Sequence, residues 1–292
     1  MPESNDSPGR VRQASLPTAV AVPLAAILIL VFILLLFPWD ALGRRVAWEI
    51  SRVSGAGVEV PELAPALTPR GPVLRARGVT IEHPAVDVVR LFELEIAPRF
   101  STSWFRGEPT LRVWAQSGLG HVDGVLRLGD SSAYIGQVSE VELERLPLRL
   151  EATGVRFRGK IHAQADVGLD PAGTLQGRVD FESASLEIES TRLPIPIPFE
   201  QSTGTIEILE SGDTRVTNVV LEGQVVNARI DGEIGLVHRS QSPPIDLNVQ
   251  LEIVDPTLRQ LAPSAGLVLS SQGKAQIQVG GTLDLPVVQP AV

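Results

Sequence analysis

The chain has 292 residues, of which 43% are hydrophobic, enough to fold one or two domains around a core and too many for overall disorder. Aromatics are only 4%, so the apolar content is Val, Leu, Ile and Ala, which suits sheets better than aromatic-lined cofactor pockets. A net charge of −9 with singly scattered arginines argues against a nucleic-acid partner, and the lack of cysteine excludes disulfides, thiolate nucleophiles and Cys-ligated zinc.

Residues 1–18 form a polar tail. From Ala19 to Phe37 no charged side chain occurs, and at 1.5 Å per residue this run covers roughly 28 Å, close to the hydrocarbon thickness of a bilayer. Pro23 near its start and Trp39 just past its end, at headgroup level, fit a transmembrane anchor over 19–38. A cleaved signal peptide would have a shorter apolar region and a better small-x-small site than Ala41-Leu42-Gly43. Arg10 and Arg12 precede the run while Arg44, Arg45 and Arg52 follow it, so charge counting leaves the orientation open.

Residues 39–55 predict a short juxtamembrane helix. Leu42, Val46, Ile50 and Val53 form one apolar stripe, and Gly55 and Gly57 end it. Such a helix would either lie on the membrane surface or cap the sheet that follows.

Over 56–292 the dominant period is two. Val155, Phe157, Ile161 and Val167 alternate with Arg156, Arg158, Lys160, His162 and Asp166; Val226, Ile230 and Ile234, then Leu247, Val249 and Leu251, repeat the pattern. One strand over 155–169 would be about 50 Å long, with Gly159 or Gly168 able to bend it. The fold class expected is mainly β: a transmembrane helix and a short amphipathic helix, then a long antiparallel sheet, curled into a groove or packed as a sandwich. One further helix start is clear, Asp255 as N-cap with Pro256 at the first helical position.

In LPIPIPFE, Pro194, Pro196 and Pro198 share one strand edge and remove its donors, while Ile195, Ile197 and Phe199 keep theirs on the other. This predicts an edge strand protected against stray pairing, with Ile195, Ile197 and Phe199 facing the dry interior.

No catalytic, metal or cofactor constellation emerges. His83, His121, His162 and His238 lie outside metal-ligand spacing, Gly118–Gly124 reads as a hairpin turn, and the region around Ser131 and Ser132 does not form a serine elbow. The pairs Glu93/Glu95, Glu140/Glu142/Glu144 and Glu207/Glu210 read as hydrated carboxylates on polar faces.

Several segments carry a resemblance: FPWDAL at 37–42, GVEV at 57–60, LRARGVTIE at 74–82, LPIPIPFEQSTGTIEI at 193–208, LEGQVVNARIDGEIGL at 221–236, VDPTLRQLAP at 254–263 and GTLDLPVVQP at 281–290. In these the chain resembles the type II secretion system protein N (GspN) family, in the variant related to AsmA-type membrane-anchored β-groove proteins. The resemblance implies a single-pass protein of the bacterial inner membrane with its C-terminal domain in the periplasm. It also implies a non-enzymatic accessory or scaffold role among other envelope proteins of the secretion system. The AsmA kinship implies an alternative, an apolar groove that binds or transfers lipids. Residues 100–150 match least.

Overall fold

The computed structural model describes residues 36–292, with Leu28 and Phe32 upstream, apart from 55–56, 70, 84–85, 100–101, 103–105, 130–131, 147–154, 170–173, 191–194, 236–241, 266, 283–284 and 291–292. The chain divides into two compact units, 1–39 and 40–292. In the first, the Phe37 and Trp39 rings lie 4.5 Å apart. The predicted anchor falls almost wholly outside the described residues; among those described, no helix is long and apolar enough to cross a membrane.

The second unit is one open antiparallel sheet. Helix α1 (Trp39–Ser54) leads into β1 (Gly57–Glu59), β2 (Glu62–Thr68), β3 (Gly71–His83), β4 (Val86–Pro98), β5 (Thr110–Ser117), β6 (His121–Arg127), β7 (Ala133–Glu142), β8 (Val155–Leu169) and β9 (Leu175–Ser190). There follow β10 (Ile197–Phe199), β11 (Gln201–Ile208), β12 (Thr214–Glu222), β13 (Val226–Ile234), β14 (Ile245–Ile253), α2 (Pro256–Leu261), β15 (Lys274–Gly281) and β16 (Pro286–Pro290). Strands pair largely in chain order, as hairpins favour; β1 and β2 share one edge of β3, and β10 and β11 share one edge of β9. All strands thus belong to a single sheet rather than to two facing ones. Residues 110–142, the part with least resemblance, supply β5, β6 and β7 in its middle.

The expected long strand is present as β8, with half-buried apolar residues alternating with exposed polar ones. Gly159 bends it at φ +124, where a Cβ would run into the Ser185 carbonyl, so only glycine fits. The predicted cap of α2 also forms: Asp255 Oδ1 accepts from the backbone N–H of Thr257 at 2.8 Å and of Leu258 at 2.9 Å.

Register slips lie in a row across the sheet: Val138/Val141 in β7, the β9 residues opposite Lys160/His162, and Val216–Val220 of β12, which falls out of step both with β11 at Thr203/Thr205 and with β13. They share nearly one height, because His162 faces Glu182 and Glu182 faces Thr203. Each bulge turns the chain by one residue, so apolar side chains of opposite parity, Phe181 and Leu186 in β9 for example, stay on one face. The Ser183 hydroxyl secures the β9 bulge by donating to the Lys160 carbonyl at 2.7 Å.

The proline edge holds locally and not as an outer boundary: β10 pairs with β9 alone, Pro198 opposite Glu187, so one of its edges is paired and the other carries no strand, yet it lies inside the strand order and not at its end. The donor-less nitrogen of Pro198 turns toward the side where β12 has ended, since Glu200 N–H, of the same parity, bonds the Glu222 carbonyl at 2.8 Å. Pro196 is exposed, and Pro194 lies outside the described residues. The real boundaries use the same device. In β16, Thr282 and Leu285 exchange hydrogen bonds, turning Val287 and Gln289 toward β15 and leaving Pro286 and Pro290 on the outer edge. Pro65 does the same in β2, the only way a proline fits that ladder.

Where β7 has ended, the edge of β8 is closed by a carboxylate. A 3-10 turn, Leu143–Arg145, brings Glu144 Oε2 to 3.1 Å from the Gly159 N–H, which donates to it. Its own backbone N–H first, then that of Gly159, holds the Glu144 carboxyl below its ordinary value of 4.5. A depressed folded pKa stabilises the fold above the unfolded value and loses that contribution as pH falls through the folded one. Thermal stability of Glu144→Gln should therefore fall less steeply than wild type as pH drops below about 4.5; parallel melting curves across that range would contradict this.

Candidate functional site

The ladders place the apolar positions of successive strands on one continuous face. Ile96, Val113, Gly124, Gly136, Ala165, Val179 and Ile206 follow one another across β4 to β11, and Val216, Gly232, Leu247 and Val279 carry the row to β15. Val155, Phe157, Ile161 and Val167 of β8, Ile197 and Phe199 of β10, Val226, Ile230 and Ile234 of β13, and Leu247, Val249 and Leu251 of β14 all lie on this face. Ile195 does not join them: it precedes β10 and is 50% exposed.

The face is covered unevenly. At its N-terminal end Gly43 of α1 comes against Val60 and Leu63, Ser51 Oγ accepts from the Val58 N–H at 3.0 Å, and Ala47, Ala76 and Val79 are buried. The contact line among the described side chains is Gly43, Ala47 and Ser51, small residues one turn apart that let the helix approach closely; of the expected stripe Leu42 is half-buried, and the side chains of Val46, Ile50 and Val53 lie outside the described residues. From β9 to β13 a packed cluster forms: Leu186, Phe199, Val219, Leu221, Val226 and Ala228 are buried, with Leu143 and with Leu258 of α2 against them. Between these two ends, over β4 to β8, the face is half-open apart from the buried Ala115. Leu94, Ile96, Val113, Val122, Leu126, Val138, Ala163, Ala165 and Val167 are all only half-buried.

Tyr134, the single tyrosine of the chain, lies in the middle of this window. Its ring spreads over Gly124 and Gly136, which offer the space that side chains would fill. Its hydroxyl is buried with no hydrogen-bond partner among the described residues, and burial first, then the Asp123 charge, raises the phenol pKa. Sequence reasoning passed over Tyr134; the available signal was a lone tyrosine between glycines that fall opposite each other at hairpin spacing.

Ser202 also has no partner for its hydroxyl among the described residues, and it is 1% exposed beside the packed cluster. Removing an unsatisfied buried hydroxyl relieves its desolvation, so Ser202→Ala is expected to gain about 1 kcal/mol in urea unfolding. A loss of stability would show that the hydroxyl is satisfied in solution.

The opposite face is polar, and its charges are largely paired. Arg75 bridges Glu93 at 2.7 Å and Glu95 at 2.5 Å, Arg112 meets Asp123 at 2.8 Å, Arg158 meets Glu189 at 2.8 Å and Arg215 meets Glu233 at 3.0 Å. Of the acidic pairs of the sequence, Glu93/Glu95 is thus a cross-strand partner of Arg75 rather than merely hydrated, while Glu142 pairs locally with Arg145 at 2.8 Å. A depression of about 1100 Å³ on this face is lined by Asp123, Gln137, Gln164, Asp166, Arg178 and Asp180. Asp180 is engaged by Arg178 and by the Thr205 hydroxyl, which hold its carboxyl below the usual range. Among the described residues no three His, Asp or Glu side chains gather to hold a metal. His162 is exposed and accepts a long bond from the Glu140 N–H at 3.4 Å.

Comparison of the chain with protein-family models, curated proteins and solved structures finds no match.

Proposed function

We propose that this is a membrane-anchored envelope protein whose curled sheet receives lipid acyl chains on its half-open apolar window. The observation that carries this reading is the continuous aliphatic face over β4 to β8, left half-exposed within one open sheet. Walls that are mainly aliphatic, with the Tyr134 hydroxyl among their few polar groups, suit a flexible hydrocarbon chain. The row of bulges supports a curl of the sheet around this window, because each bulge bends and twists its strand. The apolar run over 19–37 and the AsmA likeness agree with an anchored, non-enzymatic protein of the bacterial inner membrane with its sheet in the periplasm.

Native mass spectrometry of the full chain, extracted gently from membranes, tests this. Phospholipid adducts that survive detergent exchange are expected, and a lipid-free protein would sink the proposal.

A second reading, an accessory of the type II secretion assembly, rests on the GspN-like segments, of which GTLDLPVVQP forms the closing β15–β16 hairpin. Affinity purification from envelope membranes would then recover secretion-system components; repeated failure to recover any would remove it.

A further inference from the structure

The face of α1 turned away from the sheet carries a second feature. With Gly43, Ala47 and Ser51 held against β1 and β2, the opposite side presents Trp48, 51% exposed, with the Arg45 guanidinium 4.6 Å from its ring centre. Arg44 is also exposed. Arg44, Arg45 and Arg52 stand at i−4, i−3 and i+4 from Trp48, so all three positions are its neighbours on the helix surface. The acidic residues of α1 are Asp40, in the first turn, and Glu49. Two described arginines, Arg44 and Arg45, beside an exposed indole therefore stand out in a chain of net charge −9. Only Pro38 separates α1 from the uncharged run ending at Phe37.

We propose that this outward face of α1, Arg44 and Arg45 around Trp48, rests on the anionic phospholipid headgroup layer and so fixes the tilt of the sheet relative to the membrane. The proposal rests on the membrane-anchored reading. Indole favours the interface, where its ring is half apolar and its N–H stays wet, and guanidinium groups pair with lipid phosphates. Because the small-residue face of α1 is locked to the sheet edge, whatever holds the outer face also orients the window.

The full chain is reconstituted into vesicles of phosphatidylcholine alone and of phosphatidylcholine with phosphatidylglycerol, each with brominated acyl chains that quench nearby indoles. Wild type is expected to show a quenched component that Trp48→Phe lacks, and Arg44→Gln with Arg45→Gln should lose it in the anionic vesicles. Equal quenching in wild type and Trp48→Phe would overturn the docking. Alkaline carbonate extraction reports separately on the anchor. A protein retained by the membrane with Trp48 unquenched loses only the docking proposal. A protein released by carbonate, yet quenched at Trp48 beforehand, loses the anchor and keeps the docking.

Discussion

Phe199→Ala is expected to destabilise the sheet domain by about 3–5 kcal/mol, the range for emptying a well-packed aromatic site. Phe199 is 4% exposed and faces Leu186 across the β9–β10 ladder, with Leu221 and Val226 in the same cluster. The cluster around Phe199 is made of buried side chains, with Phe157, Phe181, Ile188 and Leu258 packed against them, so the cavity has little surrounding slack into which to collapse. Urea unfolding followed by circular dichroism measures the effect, with the midpoint expected to drop and the slope to stay constant. A loss below about 1 kcal/mol would mean that the cluster is loosely packed and that the apolar face is open along its whole width.

The second large effect concerns lipid. Ala165→Glu puts a carboxylate in mid-window, between Gly136 on β7 and Val179 on β9. An ionised group costs roughly 2.5–3.5 kcal/mol against hydrocarbon on insertion scales. That corresponds to a fall in co-purifying lipid of tenfold or more. Ala165 is only half-buried, so the variant should still fold. Gln164→Glu, one residue away on the polar face, adds the same charge and should leave the lipid content unchanged. If both variants kept their lipid, acyl chains would not occupy this face; if both lost it equally, net charge rather than the window would be responsible.

Much of the architecture was legible because a strand in a single sheet has one wet side and one dry side, and that alternation is written directly in residue order. Val155 to Val167, Val226 to Ile234 and Leu247 to Leu251 needed no further information to be placed on strands. The bulges were not read from the sequence, although each leaves a break in parity there: Val138 to Val141, Phe181 to Leu186 and Val216 to Val219 each skip one step of the alternation. The proline rule was physically sound and its location was not. A missing N–H shows that one side of a strand goes unpaired, and Pro198 meets that condition beside the end of β12, inside the sheet, while Pro65, Pro286 and Pro290 meet it at the true edges.

Residue order alone therefore determined an antiparallel β domain with one aliphatic face, the capped helix after Asp255 and the apolar run before Trp39, because each depends on contacts between near neighbours in the chain. Which part of the aliphatic face is packed and which stands open was decided only in three dimensions. Leu143 of the 3-10 turn, Phe199 of β10 and Leu258 of α2 close the β9–β13 end, and Gly43 and Ala47 of α1 close the other. Coverage depends on where distant segments come to rest over the sheet, and alternation, which records only the side a residue faces, carries no information about what lies above it.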